Sequence, residues 1–148
     1  MAQRTTIAIH PARAAQLRAL AAHHGVTVVE MIERLTVQAL HAAGMSDALE
    51  GLEIDRHPDD TVWFAAIGMP HLNLPFDKAR EVADALDFVA ERNGRKTIEL
   101  HGGDRVDVER VGNGLTIATA WPNGMVGKQS MTPAMARDLA KQLRRAAA

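Results

Sequence analysis

Residues 4–43 read RTTIAIHPARAAQLRALAAHHGVTVVEMIERLTVQALHAA, and this stretch decides how the chain is organised. Its first six residues alternate. Thr5, Ile7 and Ile9 fall on one face of a short strand, and Arg4, Thr6 and Ala8 on the other. Pro11 has no N–H to give a ladder and suits the first turn of a helix. The spacing of Ala14, Leu17 and Ala21 predicts that helix, which Gly25 ends just after His23 and His24. Thr27 and Glu30 form the capping-box pattern T-V-V-E ahead of a second helix. Met31, Ile32, Leu35, Ala39 and Ala42 recur along it at helical spacing.

A lone strand with one apolar face and two open edges is unstable, and forty residues bury too little surface to fold alone. Both problems disappear if two chains pair their strands as an antiparallel ribbon and interlock their helices. A homodimer is therefore expected, its core drawn from Thr5, Ile7, Ile9, Ile32 and Leu35.

The order RTTIAIHP, LRALAAHHG and VTVVEMIERLTVQAL resembles the ribbon-helix-helix family of small repressors and antitoxins. The resemblance covers residues 4–43, a little over a quarter of the chain. It implies a homodimeric, sequence-specific transcriptional regulator, a repressor, whose ribbon lies in the major groove of double-stranded DNA. By position, Arg4, Thr6 and Ala8 would then face base edges. Thr27, Val28 and Val29, at the N-terminus of the second helix, would present backbone N–H groups to phosphate. The chain departs from the pattern in three places. Val28 and Val29 bring no side-chain donor, Glu30 brings negative charge toward phosphate, and Ala8 offers only a methyl group. Two alternatives follow: an antitoxin-like autoregulator that binds a toxin, and an adaptor that uses its N-terminus only to dimerise.

The charge distribution points the same way. The chain as a whole carries a formal charge of −1, but residues 1–45 hold four arginines against two glutamates, a net +2. Hydrophobic residues make up 47% of the chain, enough for a folded core, yet only three Phe and two Trp are present, so that core is largely aliphatic. Absence of cysteine excludes thiol chemistry, disulfides and cysteine-based metal sites. No apolar run is long enough for a membrane span and no signal stretch opens the chain, so a cytoplasmic protein without membrane contact is expected.

Residues 1–45 are expected to form the DNA-binding and dimerisation domain, and residues 52–148 an α+β oligomerisation or regulatory domain. In the latter, strands are expected at 52–56, 61–67, 96–100, about 106–111, 115–119 and 125–129, with helices from Pro75 to about Arg92 and from Pro133 onward. Asn113-Gly114 reads as a hairpin turn. Residues 74–86, LPFDKAREVADAL, match residues 131–143, MTPAMARDLAKQL, which suggests an internal strand–helix repeat; at the same offset Phe64 falls on Trp121. The expected arrangement is one antiparallel sheet with both helices on one face.

No catalytic constellation is present. Asp59-Asp60 reads as a turn, His57, His71 and His101 are scattered, and the glycine-rich stretches at 102–104 and 111–114 lack the lysine of a phosphate loop. No enzyme activity, metal or cofactor is expected. Residues 52–148 are expected to bind a protein partner or to build a higher oligomer. Trp63, Phe64 and Trp121 are candidates for a pocket wall, and the matched Arg80 and Arg137 for a partner contact.

Overall fold

The computed structural model describes residues 5–66, 68–124 and 126–148. The chain divides into two compact units, Met1–Asp47 and Ala48–Ala148. It is an α+β protein with four helices and two antiparallel sheets among the described residues. No helix is long and apolar enough to cross a membrane.

The first unit contains α1, Pro11–His24, and α2, Val28–Ala42. Residues 5–10 form no ladder. The strand expected there is thus not formed within a single chain, and the described structure begins with helices. The physical reason is that a strand's N–H and C=O groups need a second strand beside them. Arg4 lies outside the described residues.

In the second unit, β1 (Leu52–His57), β2 (Thr61–Ala66) and β3 (Met69–Pro75) make a three-stranded sheet in that order. Helix α3 (Phe76–Glu91) follows. Strands β4 (Arg95–Glu99), β5 (Arg105–Val111), β6 (Gly114–Ala120) and β7 (Val126–Met131) make a four-stranded sheet, and α4 (Pro133–Ala146) follows. Two sheets replace the single sheet expected. The strand missing from the sequence reading is β3, M-P-H-L-N-L-P, whose two prolines mask an alternation that buries Met69, Leu72 and Leu74.

The repeat extends beyond the helices. Strands β3 and β7 begin 57 residues apart, as do α3 and α4. Buried positions match at that spacing: Ala79 with Ala136, Val82 with Leu139, Ala83 with Ala140, Leu86 with Leu143. The preceding hairpins match at shorter offsets because their connections differ in length. The first hairpin turns through residues 58–60, with Asp60 at φ 60°, and the second through Gly112 and Asn113 alone, with Gly112 also at φ 60°. Gly114 is paired with Val111 as the first residue of β6, so the turn sits one residue earlier than Asn113-Gly114. Between β6 and β7 lie five residues, where β2 and β3 are joined by two. Phe64 therefore corresponds to Ile117, both fully buried, and Trp121 falls in the longer connection with no counterpart.

The two sheets approach where β3 and β7 begin. Lys128 N donates to Gly68 O at 3.2 Å. A Cβ on Gly127 would stand 2.5 Å from Pro70 Cδ and 2.8 Å from Met69 Cα, so only glycine permits this approach. The helices pack against each other and run in opposite directions. Arg144 pairs with Asp84 at 2.7 Å and Asp87 at 2.6 Å, and Arg80 donates to Ala147 O at 2.5 Å. Arg80, an expected partner contact, is thus spent on the end of α4. Matched arginines on β1 and β5 act alike: Arg56 donates to Ala148 O just past α4, and Arg110 donates to Ala90 O in the last turn of α3 at 3.1 Å, where carbonyls lack intrahelical donors.

Asp107 on β5 is the one buried carboxylate among the described residues. Thr97 donates to it at 2.6 Å and Arg95 at 2.8 Å, with Arg105 at 3.3 Å. Burial pushes its carboxyl up, but these hydrogen bonds and the two arginine charges outweigh burial and hold it below the usual value. A carboxyl depressed in the folded state stabilises the fold above its unfolded pKa, and this contribution is lost as pH falls through the folded pKa. Asp107→Asn should therefore cost about 1–3 kcal/mol near neutral pH. It should also shrink the difference between chemical unfolding midpoints at about pH 7 and about pH 3.

Candidate nucleic-acid interface

Both helices of the first unit are capped by side chains that the sequence placed there. His10 Nδ1 accepts from Ala12 N at 3.1 Å at the start of α1. Gly25 closes α1 at φ 65°, where a left-handed residue lets the chain turn back, and Val26 N returns to Ala21 O at 3.0 Å. Thr27 Oγ1 accepts from Glu30 N at 3.1 Å and starts α2.

Val28 and Val29 occupy the first turn of α2, where backbone N–H groups have no intrahelical acceptor. This is the part of α2 that can donate to an anion. Glu30 sits in the same turn, but its carboxylate takes Arg34 Nη2 at 2.7 Å. Its negative charge is met by a cation on the same helix, which lessens the conflict noted in the sequence. Arg34 is correspondingly engaged. Arg13 donates to Gln16 at 2.8 Å, and Arg18 is exposed on α1.

Burial in this unit is sparse. Among the described residues Ala21 and Met31 are its buried apolar residues, with Ala14, Leu17, Val26, Val28, Val37 and Leu40 half-buried. The residues expected in a dimer core stay open in the single chain: Ile7 is 81% exposed, Ile9 49%, Ile32 43% and Leu35 39%. Thr5, Thr6 and Ala8 are exposed beside them. Leu20 and Val29 add to the open apolar surface, and neither was placed in the dimer core by the sequence pattern.

The second unit offers a different kind of site. A cleft of about 690 Å³ is lined by His71, Lys78, Glu99, His101, Asp104 and Trp121, among others. Trp121 was an expected pocket wall and lies here. Phe64 does not; it is 1% exposed in the core. Trp63 lies between His57 and His71, with ring centroids 6.3 and 5.6 Å away. Among the described residues, no three His, Asp or Glu side chains converge on a point that could hold a metal ion.

Comparison of this chain with protein-family models, with curated proteins and with solved structures finds no match.

Proposed function

We propose that this protein is a homodimeric, sequence-specific DNA-binding transcriptional regulator, a repressor, that reads the major groove with a ribbon formed by two copies of residues 4–9. The observation that carries the reading is the exposure of Ile7, Ile9, Ile32 and Leu35 in a unit that buries two apolar residues among those described. Leaving that much aliphatic surface in water is unfavourable, and a second copy presenting the same residues would cover it. Alternation along residues 4–9 then turns Arg4, Thr6 and Ala8 outward once the partner strand is in place. The free N–H groups of Val28 and Val29 supply the phosphate clamp. Residues 52–148 supply oligomerisation or partner binding.

The adaptor reading draws on one observation, that Val28 and Val29 add no side-chain donor at the clamp. The two readings differ in a gel shift. The dimer should bind duplex DNA with an affinity that falls as salt rises. Replacing both Arg4 and Thr6 by Ala should weaken binding to the selected site by about tenfold or more, because each base contact contributes about 1–3 kcal/mol. The mass of the dimer should not change. Unaltered DNA binding in that double variant would refute the assignment of the reading face.

A further inference from the structure

The two repeats of the second unit differ by one strand. Strand β4 covers one edge of β5, whereas no strand covers the corresponding edge of β1 among the described residues. The two edges carry the same residue pattern, although the Leu52 N–H already returns to Leu49 O at 3.0 Å, which leaves Ile54 and Arg56 as the open main-chain positions. Strand β5 offers Val106, Asp107, Val108 and Glu109 to β4. The matched residues of β1, 54 positions earlier, are Leu52, Glu53, Ile54 and Asp55. Both read aliphatic, acidic, aliphatic, acidic. Strand β4 answers β5 with Arg95 opposite Glu109, Lys96 opposite Val108, Thr97 opposite Asp107 and Ile98 opposite Val106. Arg95 and Thr97 both donate to Asp107. On β1, Glu53 and Asp55 are exposed, and neither has a cationic or hydroxyl partner among the described residues.

We propose that the open edge of β1 is a docking site for an extended segment of a partner protein, which adds as an antiparallel strand. The main chain of the segment completes the ladder, and its side chains are selected by the acidic positions. A basic residue falls opposite Asp55, a hydroxyl residue opposite Glu53 and an aliphatic residue opposite Leu52, in the register by which β4 meets β5.

The residue between the basic and hydroxyl positions identifies the occupant. In the second repeat that residue is Lys96, whose ammonium lies 4.3 Å from the centre of the Phe88 ring, a favourable seat for a cation. The position on α4 matched to Phe88, 57 residues on, is Arg145. By the repeat, a lysine brought to β1 is matched with an arginine instead of an aromatic ring. The segment therefore carries an acidic residue there, giving the order basic, acidic, hydroxyl, aliphatic. Strand β4 of a second copy, with Lys96 in the middle, does not fit.

The test is fluorescence anisotropy on the full chain with labelled synthetic peptides. The probe is G-R-E-T-I-E-L, patterned on residues 94–100 with glutamate in place of lysine, and the comparison peptide is G-R-K-T-I-E-L. The first should bind at least about tenfold more tightly than the second, a difference of about 1.4 kcal/mol. Glu53→Arg, a change at the exposed side chain matched to Asp107, should weaken the probe by about tenfold, and G-E-E-T-I-E-L should regain the loss on that variant. Amide exchange along β1 should slow when the probe is bound. Three results would overturn the proposal: no saturable binding up to about 1 mM, binding unmoved by Glu53→Arg, or preference for the lysine peptide, which would assign the edge to a second copy.

Discussion

Leu35→Asp should convert the protein from a dimer to a monomer in sedimentation and abolish its binding to DNA. Leu35 is 39% exposed in the single chain, so a carboxylate there keeps its water and the chain itself loses little. In a dimer that covers Ile32 and Leu35, the same carboxylate would be stripped of water without a partner. That penalty is several kcal/mol per protomer and is counted twice in a symmetric interface. The second unit should keep its own unfolding transition, because its core is built from residues 52–147. Leu35→Ala is the milder companion. It removes aliphatic area without adding charge and should weaken the dimer while leaving it measurable at high concentration. If Leu35→Asp remains a dimer, Leu35 is not in the interface.

Leu86→Ala and Leu143→Ala should each destabilise the second unit by about 2–5 kcal/mol, and by similar amounts. Both side chains are fully buried, and they occupy the same position in α3 and α4, 57 residues apart. Each removes methyl groups from the seam where the two helices pack on each other and on the sheets. The double variant tests the packing further. Residues that share a cavity couple, so its loss should depart from the sum of the single losses. Denaturant unfolding of the three variants measures both quantities. A loss under about 1 kcal/mol at one position would mean that its repeat has collapsed around the gap or is not packed as its counterpart is.

Local signals in the sequence were readable where a single residue type has one strong use. Thr27, Gly25 and Pro133 mark helix ends because a hydroxyl, a positive φ and a missing N–H each suit one position. The matched A-R-E and A-R-D segments located α3 and α4 because both helices bury the same small-residue face. Strand β3 was hidden because Pro70 and Pro75 break the pattern expected of a strand, although it lies beside β2 and begins against β7. The division into two sheets depends on that strand and went with it. The constant offset of the helices sets Trp121 against Phe64, but the hairpin connections differ in length, which helix similarity does not reveal. The candidate DNA-reading residues rest on alternation and on family resemblance; exposure of Ile7, Ile9, Ile32 and Leu35 bears on the dimer face alone. Pairing of Glu30 with Arg34 was accessible in principle, since the two stand four apart on a helix. The open edge of β1 required the strand order before its acidic residues gained meaning.

Selection of duplex fragments from a genomic pool by the full-length protein at low salt tests the central claim most directly. The account predicts that a confirmed dimer enriches fragments sharing a short motif, that enrichment falls as salt is raised, and that it is lost when Arg4 and Thr6 are both replaced by Ala. A confirmed dimer that enriches no fragment at low salt would contradict DNA binding and leave the N-terminal unit as a dimerisation device.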